Sequence, residues 1–361
     1  MNKLKLYQNQ QLDILRKQGD AIGDQTVNFL FQFPEWIDTF NSWESFPQLS
    51  EISSFPEPLA GFLLEFKKAP NWINPRKVKM AQVFFEKEGN LYLSLLGFYS
   101  LPYCYAFADG AQVLVRSKRI TDDIGMRLAE TALFLLDSFR PGTFISNEEA
   151  MLTLSKVRLI HAFSRLFISK YAKDWKEDWG VPINQEDMIG TNLAFSLLVM
   201  RGMEKLGRYP GKEMSEAVMH YWKVIGHYLG IQTAYWPETA KEAFELEKII
   251  RKRHLGASDA GHVLIQALLT YYRNTVPDPA LANRTAELVA YFVGQEAAEA
   301  LDLKAGTQLP KALYGFLLDL SFFKQYGTGT SYEKTRRIFL EQSSMQFGRF
   351  PKLQLPSRKR S

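Results

Sequence analysis

Cysteine is almost absent from this sequence: Cys104 stands alone among 361 residues. One thiol closes no intrachain disulfide and leaves no thiolate cluster for zinc or an iron–sulfur centre, so a reducing compartment is the expected setting. Histidine is nearly as scarce, with His161, His220, His227, His254 and His262 the five in the chain. HExxH, CxxC, GxSxG, a strand-borne GxGxxG and GxxxxGK[ST] are all missing, which removes the usual signatures of hydrolase, dinucleotide and phosphate-loop chemistry. Long apolar runs are missing too. The most apolar windows, residues 91–107 and 193–200, are broken by Gly97, Pro102 or nearby charge and fall short of the ~20 apolar residues that span a bilayer. Residues 1–20 are polar and charged, with no apolar stretch of the signal-peptide kind. The expectation is a cytoplasmic protein without a transmembrane segment. Charge of one sign is in short supply as well: 44 Lys and Arg oppose 39 Asp and Glu, leaving +5. The basic cluster Arg358, Lys359, Arg360 has no interleaved aromatics, so no nucleic-acid partner is expected.

What is present is a globular composition, 46% hydrophobic and 14% aromatic. Apolar residues recur at helical spacing almost everywhere, and the longest alternating, strand-like run is residues 111–116. The reading is an all-α fold. Helix starts are marked by Asn74-Pro75, Thr121, Asn147, Asn184, Pro237, Ser258 and Asp278-Pro279, each with a capping side chain, a first-turn proline or early acids. Breaks fall at Pro141-Gly142, Gly180 to Pro182, Pro210-Gly211, Gly230, Gly256, Pro277 and Gly306. The expected organisation is a helical extension over residues 1–94 packed on the body, a large single helical domain over 95–330, and over 331–361 a C-terminal helix with a basic, flexible tail, disordered or loosely docked from Gly348.

With one cysteine and five histidines, metal chemistry must rest on an isolated ligand, and an isolated histidine among aromatics suits haem better than a bare ion. His161 sits in the helix expected over residues 147–171, with Arg158 three before it and Arg165 four after it, all on one face. Two readings stand side by side: an axial ligand kept neutral by neighbouring cations, with arginines for carboxylates, or a part-buried histidine whose arginines pair with acids. The preceding helix carries Arg127, Glu130 and Thr131 within about one turn, either a substrate- or oxygen-facing group or an ordinary surface pair. Gly190, inside a helix expected from Asn184, suggests that a ring or a crossing helix approaches there. His220 and His227, seven apart, read as packing or surface residues, and His254 and His262 as structural ones.

Taken in order, Arg127 and Thr131, then Arg158-x-x-His161-Ala-x-x-Arg165, then the run from Gly180 to Ser196, then Tyr221-Trp222 through Gly230-Ile231, resemble the catalytic domain shared by latex clearing proteins (rubber oxygenases) and MpaB-type oxygenases. The resemblance covers about residues 95–330. It implies a globin-like core holding haem b, with His161 as proximal ligand, Arg127 and Thr131 on the distal side, and Arg158 and Arg165 in support. It also implies dioxygen as co-substrate and an apolar, unsaturated, isoprenoid-like small molecule as substrate. Where rubber oxygenases carry a lysine between the distal arginine and threonine, this chain has Glu130. A haem sensor or carrier without turnover, or a cofactor-free helical protein on the same scaffold, are the alternatives.

Overall fold

The computed structural model describes residues 3–117, 123–276, 279–304, 315 and 332–357. Short amphipathic helices come first: α1 (Asn9–Arg16), α2 (Ala21–Gln32), α3 (Glu35–Ser42), α4 (Leu49–Ile52) and α5 (Glu57–Lys67). Pro34 and Pro56, which cannot donate to a preceding turn, sit at the entries to α3 and α5. Helix α6 (Pro75–Leu95) opens with Pro75 in its first turn and with Asn74 accepting from the Lys77 amide at 3.1 Å. It runs without a linker into a π-helical turn (Leu96–Ser100) and α7 (Leu101–Tyr105). Pro102 offers no N–H to that stretch, a common reason for a widened turn. The boundary expected at residue 94 therefore falls inside continuous helix.

Helix α8 (Ala108–Arg116) contains the run expected to be strand-like. Val113 and Val115 supply an alternation too short to decide the matter, and among the described residues only isolated bridges, Phe107 with Leu255 and Thr143 with Asn147, break the helical pattern. There follow α9 (Ile124–Ser138), α10 (Met151–Tyr171), α11 (Gln185–Lys205), α12 (Lys212–Tyr228), α13 (Ala240–His254), α14 (Asp259–Thr275), α15 (Pro279–Ala282), α16 (Thr285–Val293), α17 (Gln295–Ala300) and α18 (Tyr332–Phe347). Asn184 and Ser258 cap α11 and α14 as their side chains predict. Two starts differ. Asn147 makes a local turn, accepting from the Glu149 amide, and α10 begins at Met151; Thr239 rather than Pro237 caps α13. The starts at Thr121 and Asp278, the breaks at Pro277 and Gly306, and the cluster Arg358 to Arg360 lie outside the described residues.

One apolar cluster, from Tyr7 to Leu355, runs through all of these elements. At its centre Phe85 stacks on Phe139 (4.3 Å) and Phe139 on Tyr221 (4.4 Å), while the Trp222 indole donates to the Tyr92 hydroxyl at 2.7 Å. Burying each such ring contributes on the order of 2–3 kcal/mol. Of the tail, residues 349–357 are docked on the body. Leu353 and Leu355 are buried, and Asn41 clasps Leu355 by donating to its carbonyl (3.0 Å) and accepting from its amide (2.8 Å). Among the described residues no helix is long and apolar enough to cross a membrane.

Candidate active site

Helices α7 to α11, α13 and the docked tail enclose a cavity of about 310 Å³, within the range of small-molecule sites. Its walls are mainly apolar, with Leu101, Phe134, Ile160, Leu193, Ile250 and Leu353 among them. Eleven residues of α11, from Asp187 to Leu198, separate its extremes along that helix, a rise of about 16 Å.

His161 lines the cavity from α10. Its Nδ1 is buried and has no hydrogen-bond partner. Burial above all, reinforced by the cations of Arg165 and Arg127, pushes its pKa down to about 3, so the imidazole is neutral with a lone pair to offer. Arg127, Glu130 and Thr131 of α9 line the same cavity. The Arg127 guanidinium stands 3.5 Å from Glu130, whose side chain is only 4% exposed; this is no solvated surface pair. Thr131 donates its hydroxyl to the Arg127 carbonyl at 2.9 Å. Its proton is thus engaged within the helix, and its oxygen presents lone pairs to the cavity. Helix α9 could project these side chains because Asp123 caps it, accepting from the Met126 amide.

The two flanking arginines do something other than line the cavity. Arg158 is fully engaged with Asp20, Nε to Oδ2 at 2.6 Å and Nη2 to Oδ1 at 2.7 Å, beneath the rings of Phe62 and Phe66. Arg165 pairs with Asp24 at 2.6 Å and donates to the Ile183 carbonyl at 3.2 Å. Of the two readings of this helix, the pairing of its arginines with acids is what the structure contains; the acids belong to α2 and the segment before it.

Gly190 also lies on the wall, where a β-carbon would meet only Ile250 of α13, at an ordinary 3.5 Å. A helix crosses there, yet without demanding glycine; the open side of Gly190 is the cavity. Three further polar groups on the wall had only local readings in the sequence. Asp187, a first-turn acid beside the Asn184 cap, accepts from Arg16 at 3.0 Å, and burial raises its pKa. Cys104 is pushed up to about 12 by burial, which keeps it a thiol. Tyr103 donates to Glu247, which also accepts from Arg201 at 2.9 Å. Beneath Asp187, His254 bridges Glu186 (3.0 Å) and Asp109 (3.3 Å); burial opposes its charge, but these carboxylates hold its pKa above the ordinary value. His220 and His227 pack edge-on against Trp72, at 6.0 and 5.9 Å, and His262 contacts the Ala300 carbonyl. Among the described residues no three His, Cys, Asp or Glu side chains gather as a metal-ion site.

Comparison with known proteins bears on this arrangement. The family model described as ER-bound oxygenase mpaB/B′/rubber oxygenase, catalytic domain, matches residues 105–319. A solved structure of latex clearing protein in the closed state superposes with a TM-score of 0.66 over 90% of each chain, at 19% identity, a likeness of fold. No curated protein sequence matches the chain.

Proposed function

The chain belongs to the family of MpaB and rubber oxygenase catalytic domains, and from that premise we propose that it is a haem b-dependent oxygenase acting with dioxygen on an apolar, unsaturated, isoprenoid-like small molecule. The observation that carries the proposal is His161: a neutral imidazole on the wall of a cavity, its Nδ1 buried without a partner, in a pocket that Arg127 and Glu130 also line. A single imidazole with no companion ligands fits a group that brings its own equatorial donors. Haem, when bound, supplies the iron that activates dioxygen.

The protein's part follows from its side chains. His161 would hold the iron. Arg127 would offer N–H donors to negative charge developing on oxygen, in a site whose apolar walls, Phe134, Leu193 and Ile250 among them, would strengthen each dipole. Glu130 orients Arg127 and can take up a proton at its carboxylate. The apolar length of the cavity suits a hydrocarbon chain and offers little to a charged metabolite.

Titration of the purified full-length protein with haemin, followed at the Soret band, tests the reading directly. The expected result is one haem per chain in wild type and none retained by His161→Ala, with oxygen uptake on a prenyl compound by the loaded wild type. A haem complex inert toward prenyl compounds would mark a carrier or sensor, and no Soret band at all a cofactor-free protein.

A further inference from the structure

We infer that Asp20 and Asp24, outside the matched family domain, are positioning residues for His161; the inference rests on the haem reading above. The residues stand four apart where α2 begins, so they share one face. Arg158 and Arg165 stand three before and four after His161 on α10. The pairs join in the same order along both helices, Asp20 with Arg158 and Asp24 with Arg165, two rungs that bracket the imidazole. Asp20 and both arginines are nearly inaccessible, at 5%, 6% and 3%. A bidentate pair of this kind fixes the rotation of a helix as well as its distance, because both N–H bonds must stay in the carboxylate plane.

The surroundings are shaped around these rungs. At Gly23 a β-carbon would lie 2.4 Å from the Asp20 carboxylate and 3.5 Å from Ala162, the residue after His161. At Gly230, with φ of +83°, it would lie 2.7 Å from Asp20 and 2.9 Å from the Arg158 Nε. Gln185 then ties the turn before α2 in place, donating to the carbonyls of Gly19 (2.8 Å) and Gly230 (2.9 Å). His161 has no hydrogen bond of its own to fix its ring, so its aim depends on the helix that carries it, and that helix is held by Asp20 and Asp24. The rungs also balance charge near the imidazole: Arg165 disfavours its protonation while Asp20 acts in the opposite sense.

The test uses haemin-loaded full-length protein, comparing wild type with Asp20→Asn, Asp24→Asn and Asp24→Glu. Two readouts are the rate of haem transfer to apomyoglobin and the iron–histidine stretching frequency of the ferrous form. Loss of an outer partner of this kind costs ~10–100-fold in ligand retention. The asparagine variants should therefore release haem at least about tenfold faster and shift the stretch, with Asp24→Glu restoring both. Asp24 is more open than Asp20, so Asp24→Asn keeps the inference testable if Asp20→Asn fails to fold. Loaded asparagine variants with wild-type release and an unshifted stretch would overturn the inference alone. Wild type that takes up no haem would overturn the cofactor reading and this inference with it.

Discussion

Glu130 is the residue on which this chain parts from the rubber oxygenases, and its burial beside Arg127 makes it consequential. Glu130→Gln keeps the shape but removes the charge that holds Arg127. It should leave haem in place and lower oxygen uptake by roughly tenfold, while Arg127→Ala, losing the donor itself, should lower it by ~10²-fold with haem retained. Oxygen-electrode rates beside Soret occupancy check both; haem loss in either variant would make α9 a structural support. Glu130→Lys should turn the resting spectrum to a six-coordinate, amine-ligated form at alkaline pH, and an unchanged spectrum would turn position 130 away from the iron. His161 carries a pH dependence of its own. The unfolded chain protonates this imidazole near 6.5, the folded ligand-free protein only near 3, so between those values the unfolded state holds the extra proton. Stability present above pH 6.5 should then fall with acid by up to ~1.4 kcal/mol per pH unit from this group. Denaturant midpoints of the ligand-free protein should show a shallower acid slope in His161→Gln; equal slopes would mean the ring is already charged.

At the scale of elements, the caps at Asn74, Asn184 and Ser258 and the helices carrying His161 and Arg127 were legible because each signal is local: a side chain three residues from the amide it accepts, a periodicity within one helix. What was not legible is what joins elements. Asp20 and Arg158 are 138 residues apart, and nothing in either neighbourhood names the other. Asp187 follows the Asn184 cap as an early acid, and nothing in the sequence around Tyr103 or Glu247 places them with it on one cavity. The alternating run 111–116 is helix, as the all-α reading has it: a few valines in alternation do not outweigh the packing of α8 on α14. The tail reads as disordered or loosely docked because its two prolines and basic end are local signals; the burial of Leu353 and Leu355 and the hydrogen bonds from Asn41 come from residues far away in the chain. Asn41→Ala strips that clasp from a buried backbone and should weaken docking by ~1–3 kcal/mol. Hydrogen exchange at Leu355 is the measurement, with wild-type protection in the variant as the contrary result.

For the whole molecule, the shared core and the two buried arginine–aspartate rungs leave no seam between residues 3–67 and the rest. Removing Asp20 strands the buried Arg158, at a cost of about 3–5 kcal/mol, while the Asp24–Arg165 rung, whose carboxylate is partly open, costs less to break. Heating the ligand-free protein should therefore unfold it in one step, with tryptophan fluorescence, rich in signals from Trp36, Trp43 and Trp72, coincident with far-ultraviolet circular dichroism; an earlier fluorescence transition would reveal an independent N-terminal lobe. The cavity belongs to no single segment either. Its wall begins at Leu101 and is finished by Leu353. A chain truncated before Leu353 would keep Tyr103, His161 and Glu247 yet lose part of the wall around them, so a stretch of sequence beyond the matched domain is part of the site.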